Sequence, residues 1–232
     1  VKTLKSAILA SVATVAIASA AAPAFAEDEA FLGGEISANV AITTDYRFRG
    51  VSLSGEDLAI QGGLDYAHES GFYVGTWASS MDDTFTYGET EFDFYAGFGG
   101  EVEGFSYDLG LLYYAYPSGH DGDYLEAYGS VGADLGVASA TIGLAYAFSS
   151  DNTGNADNTY VYGDLESAIP DTPITLTAHL GYEDGWFDGK LDWSLGASVS
   201  YGGLDFGIAY VDTDIDADGY DATAVFTIGA SF

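Results

Sequence analysis

Residues 221–232 read DATAVFTIGASF. In steps of two back from Phe232, the residues Ala230, Ile228, Phe226, Ala224 and Ala222 are all apolar, while those between them are mostly small or polar. A period of two marks a β-strand with one greasy face. The stretch also stops on an aromatic. An alternating strand with a terminal Phe has the form of the assembly signal of bacterial outer-membrane β-barrels, with Phe226, Ile228 and Phe232 on its apolar face. In such a barrel the last strand pairs with the first, so that no open edge meets lipid. An edge strand of a soluble protein would alternate as well, so the decision rests on whether the pattern recurs.

It recurs along the whole chain. Ile36, Ala38, Val40 and Ile42 alternate against Ser37, Asn39, Ala41 and Thr43, a strand expected to run on through Tyr46 and Phe48. The same alternation returns near 58–66, 72–79, 92–98, 105–113, 125–133, 138–148, 161–165, 174–182, 191–201 and 204–210. In 72–79 the facing is open: either Phe72, Val74 and Ala78 or Tyr73 and Trp77 point outward. Twelve strands result, close to the ~9–11 residues a tilted membrane strand needs. The connections HESG (68–71), GEVEG (100–104), DLG (134–136), IPDTP (169–173) and GG (202–203) are tight, and the others are longer and rich in Asp, Asn and Gly. This predicts an all-β, antiparallel transmembrane β-barrel of twelve strands, with short periplasmic turns and longer acidic extracellular loops. Phe105, Tyr113, Phe148, Tyr182, Trp193, Tyr201, Tyr210 and Phe232 fall toward strand ends, as interfacial girdles do. A soluble β-sandwich explains the alternation but neither the girdles nor the terminal Phe.

The front of the chain is of another kind. Lys2 and Lys5 precede an apolar run from Ala7 to Ala22, and Ala24-Phe25-Ala26 has the small-x-small form of a cleavage site. Residues 1–26 are therefore expected to be a secretory signal peptide, and 27–232 the barrel. The barrel then carries three basic residues, Arg47, Arg49 and Lys190, against 36 acidic ones. Nucleic acid is excluded as a partner, because phosphate binding needs clustered Lys and Arg. The expected partners are outer-membrane lipid, the barrel-assembly machinery, and small solutes or cations. There is no Cys, so closure of an exported chain falls to hydrogen bonds instead of disulfides.

Arg47 and Arg49 stand two apart in DYRFRG. On a strand they share a face, which here continues into the lumen. Asp65, Glu91, Asp93, Glu126, Asp164, Glu166 and Glu183 also fall on inward positions. Pairing between these groups gives either a structural ion network or a charged constriction that selects what passes. His68 sits in a turn, His120 in an outer loop and His179 on an inward position near Ser194 and Ser198, but no nucleophile motif supports an enzyme. In DTDIDADGYD (212–221), Asp214, Asp216, Asp218 and Gly219 match the opening of a calcium loop. Val225 stands where that loop needs Glu, so the alternatives are a solvated acidic loop and a weak Ca2+ site at an outer loop. No other cofactor is expected.

The segments DYRFRGVS (45–52), AIQGGLDYAHESGFYVGTW (59–77) and SYDLGLLYYAYPSG (106–119) resemble a family of uncharacterised exported proteins of Gram-negative bacteria, Gcw_chp. The resemblance implies an outer-membrane barrel and carries no catalytic residues. Two functional readings follow: a small porin-like channel with an acidic, cation-favouring lumen, or a closed barrel whose acidic loops bind divalent cations or a partner.

Overall fold

Apart from Tyr46 and Phe48, the apolar faces read above lie on the outside of a closed β-barrel. In a computed structural model, residues 32–83, 87–119, 122–151 and 153–232 are described. The expected signal segment 1–26 and His120 lie outside them. The strands are β1 (Gly34–Thr43), β2 (Arg47–Phe48), β3 (Val51–Ser52), β4 (Ala59–His68), β5 (Phe72–Ser80), β6 (Thr90–Val102) and β7 (Phe105–Ala115). They continue with β8 (Tyr124–Asp134), β9 (Ser139–Ala147), β10 (Asn158–Ala168), β11 (Ile174–Asp184), β12 (Lys190–Tyr201), β13 (Leu204–Thr213) and β14 (Thr223–Ser231). Strands β4 to β14 pair in sequence order, and β1 closes the ring between β14 and β4, giving twelve antiparallel strands. At the seam, Phe232 exchanges two main-chain bonds with Ala38, at 2.8 and 3.0 Å.

The outer surface exposes an apolar belt that includes Val40, Leu64, Phe94, Leu109, Leu144, Leu180, Leu195, Phe226 and Ile228. A water-soluble protein does not leave a patch of this extent uncovered, whereas lipid covers it. The facing left open in 72–79 is settled by burial: Phe72 and Val74 are exposed, Tyr73 is buried, and Trp77 packs inward on Tyr46. One rim carries the tight turns. The turn read as 100–104 is tighter still, since β6 runs to Val102 and only Glu103 and Gly104 reverse the chain, both with positive φ (53° and 87°). That is the geometry a right-twisted two-residue hairpin requires.

The inner wall is built by an aromatic–glycine pairing. Tyr73, Tyr95, Tyr128, Tyr162 and Tyr160 lie against Gly97, Gly75, Gly110, Gly143 and Gly181 respectively, and a Cβ on any of these glycines would overlap the ring. The missing side chain lets each ring lie along the wall.

The first strand departs from the expectation. β1 ends at Thr43, and residues 44–58 fold into the barrel, with β2 and β3 as a small hairpin. Tyr46 and Phe48 therefore do not extend β1, and Arg47 and Arg49 do not continue its inward face. Local polar groups divert the chain. The Asp45 carboxylate accepts Ser52 Oγ at 2.7 Å, Ser54 Oγ at 3.2 Å and Arg47 Nε at 2.5 Å, while Ser54 Oγ accepts the Tyr46 N–H at 2.9 Å. Tyr46 and Leu53 then bury their side chains among Tyr95, Tyr114 and Tyr116.

Candidate functional site: an ion-paired lumen

The hairpin carries two guanidiniums into the half of the lumen away from the tight turns. Arg49 Nη1 donates to Glu183 Oε1 at 2.8 Å, and Nη2 to Glu126 Oε1 at 2.5 Å. Its guanidinium carbon sits 4.2 Å from the Tyr160 ring centre and 4.7 Å from that of Phe48. Charge-assisted bonds of this kind are roughly twice as strong as neutral ones. Arg49 has φ +48° and Gly50 φ +84°. A Cβ on Gly50 would overlap Thr213 and lie 2.9 Å from Asp192 Cβ, so a side chain is excluded there both by space and by conformation.

The wall holds both carboxylates in place. Glu126 Oε2 accepts the Tyr114 hydroxyl at 2.9 Å, and Glu183 Oε1 accepts Asn158 Nδ2 at 2.8 Å. Lys190 Nζ lies 3.0 Å from Glu183 Oε2 and 3.8 Å from Asp192 Oδ2, and donates to the Arg49 carbonyl at 2.5 Å. Arg47 fastens the hairpin's far side. Its Nη1 donates to the carbonyls of Gly50, Gly219 and Asp221 at 3.0–3.1 Å, and Nη2 reaches Glu56 at 3.4 Å.

The remaining inward acids divide by depth. Glu91 and Asp93 are fully buried and lie carboxyl against carboxyl; Tyr46 donates to Glu91 Oε1 at 3.0 Å, and Tyr116 also faces Glu91. Nearer the tight turns, Asp65 accepts the Tyr95 hydroxyl, and Asp108 accepts that of Tyr73 at 2.7 Å. His179 joins Asp164 through Nδ1 at 2.6 Å, and Tyr160 and Asp192 through Nε2 at 2.7 and 3.1 Å. Both ring nitrogens are thus engaged, and the Ser–His pairing weighed from the sequence is not formed. Glu166 lies exposed at the mouth.

Asp214 accepts the Leu191 N–H at 2.8 Å. Among the described residues, no group of three or more His, Cys, Asp or Glu side chains is gathered to hold a metal ion. Sequence reasoning brought Arg49, Glu126 and Glu183 together as inward groups but missed Asp45, Lys190, Asp192 and Tyr160 as members of the network. One signal for Lys190 was present: with three Lys and Arg residues in 27–232 against 36 acidic ones, few cations are at hand to neutralise a lumen.

Residues 27–232 match the family described as "Bacterial protein of unknown function (Gcw_chp)". The chain belongs to the Gcw_chp family. No curated protein matches it. Among solved structures, this Gcw_chp protein is similar to the KdgM porin, with a TM-score of 0.61 at 10% identity over 84% of this chain and 98% of that one. A KdgM porin in complex with disordered oligogalacturonate gives 0.59 at 9% identity over 85% and 97%. The NanC porin gives 0.58 at 10% identity over 85% and 98%. At such identity the likeness is one of fold: a porin-like, closed twelve-strand barrel.

Proposed function

We propose that this protein is a small porin-like channel of the outer membrane whose acidic lumen favours cations, with the 44–58 hairpin narrowing its outer half. The observation that carries the reading is the sign of the lumen. Among the described residues, Asp45, Glu91, Asp93, Glu126, Glu183 and Asp192 are buried there against Arg47, Arg49 and Lys190, and the less buried His179 lies between Asp164 and Asp192. An excess of fixed negative charge in a confined, low-dielectric space attracts cations and repels anions. The oligogalacturonate bound by the similar KdgM porin is a polyanion, which this lining disfavours. The apolar belt and the expected signal segment support placement in the outer membrane.

The test is single-channel conductance of the refolded mature chain in a planar bilayer under a salt gradient. Steady openings with a cation-selective reversal potential are expected; a folded barrel that never conducts would sink the channel reading. One observation favours the alternative of a closed, surface-interacting barrel: the hairpin buries Tyr46 and Leu53 within the lumen. In that case function falls to the acidic loops, where Asp214, Asp216 and Asp218 would attract divalent cations weakly, without a preformed set of ligands.

A further inference from the structure

The Arg49 side chain occupies a receptor made by other parts of the chain. Glu126 lies on β8, Tyr160 on β10 and Glu183 on β11, so of the groups closest to the guanidinium only Phe48 travels with the hairpin. Tyr114 and Asn158 orient the two carboxylates from the wall as well. Two carboxylates beside an aromatic face suit a planar, delocalised cation better than a compact one.

The resident fits this receptor imperfectly. Arg49 takes a positive φ that L-residues rarely adopt, and its buried Nε has no acceptor among the described residues. Nor can the hairpin leave alone, since Glu183 would then keep Lys190 while Glu126 would keep no cation among the described residues, and an unpaired buried carboxylate is costly. Exit is favourable only if another cation enters.

We propose that Glu126, Glu183 and Tyr160 form a guanidinium site in the barrel wall, held by the protein's own Arg49 and exchanged for a guanidinium-bearing solute as the hairpin lifts. The proposal names the solute class for the cation-favouring lumen and rests on that reading. A group on a short flexible tether has an effective concentration of order millimolar, so exchange in the intact protein, whose hairpin is also packed through Tyr46 and Leu53, begins at millimolar concentrations and above, and a vacated site binds more tightly.

The test uses the refolded mature chain in detergent micelles and needs no conductance, so the channel reading and this one fail separately. Hydrogen exchange of residues 44–58 is followed by mass spectrometry while ethylguanidinium chloride is raised through millimolar concentrations, against ethylammonium chloride at equal ionic strength. Exchange is expected to accelerate several-fold with ethylguanidinium alone; equal exchange in both salts would overturn the proposal. In calorimetric titration, Arg49→Ala is expected to bind ethylguanidinium at least tenfold more tightly than the unaltered protein, and Glu183→Gln in that background to abolish the gain. A folded Arg49→Ala barrel with no gain also overturns it. If Arg49→Ala fails to fold, Arg49→Gln takes its place, and the hydrogen-exchange comparison stands without any variant.

Discussion

Arg49 Nη2 meets Glu126 Oε1 at 2.5 Å across 77 residues of chain, and Arg49 Nη1 meets Glu183 Oε1 at 2.8 Å across 134. One side chain on an inward hairpin thereby ties β8 to β11 across the lumen. Because the pair is buried, its two ends differ from surface ion pairs, which contribute little. Losing one partner strands the other charge away from water.

Arg49→Gln should therefore lower the stability of the folded barrel by about 3–5 kcal/mol, the usual loss when half of a buried pair is removed, because it leaves the Glu126 carboxylate buried without its cation. Urea unfolding of the refolded protein measures this. Arg49→Gln combined with Glu126→Gln should cost less than the two single changes together, because the double change no longer strands Glu126 and Glu183 keeps Lys190.

The inner wall makes a second prediction. Gly97→Ala places a Cβ in the volume of the Tyr73 ring and disturbs its hydroxyl contacts to Asp108 and Tyr128. A loss of about 1–3 kcal/mol is expected from overpacking. Gly163→Ala is the control, since its Cβ would meet only the Thr141 carbonyl, at 3.8 Å. It should fall within about 0.5–1 kcal/mol of the starting protein, with the sign favouring Ala in a strand interior.

Asp93 is buried carboxyl against carboxyl with Glu91. Asp93→Asn removes the charge at constant shape and supplies an N–H2 group on the face shared with Glu91. The urea midpoint should rise, by about 1 kcal/mol in free energy. Cation preference, read from the reversal potential, should fall in the same variant.

The seam between β1 and β14 depends on Phe232. Their register holds five residue pairs, Asn39↔Ser231 to Thr43↔Thr227, against ten between β1 and β4. Deleting Phe232 removes its two main-chain bonds to Ala38, each contributing about 1 kcal/mol. The heat-modifiable, folded fraction on refolding should drop several-fold, with little change in the spectrum of the barrels that do close.

The barrel was legible because a strand whose two faces meet different solvents writes that difference into every second residue. Ile36 to Ile42 and Phe226 to Phe232 declare their outward face without any neighbour. Strand 72–79 did not, since aromatics stand on both of its sides. Only packing shows that Tyr73 lies over Gly97 and Trp77 against Tyr46. The diversion of 44–58 was hidden for a similar reason: Tyr46 and Phe48 keep the period of two, and the groups that bend the chain inward, Asp45, Ser52 and Ser54, act through side-chain hydrogen bonds that periodicity does not register.

By itself, then, the amino-acid sequence determined the strand period, the number of strands, which rim carries the short turns, and the scarcity of basic residues. These are local or compositional properties. The tertiary structure alone decided where the cations go. Glu126 and Glu183 are brought onto Arg49 by the register of strands distant in sequence, and Lys190, just outside the alternation read over 191–201, becomes the buried first residue of β12. The physical reason is that an ion pair is set by distance and desolvation in three dimensions, and neither is a function of spacing along the chain.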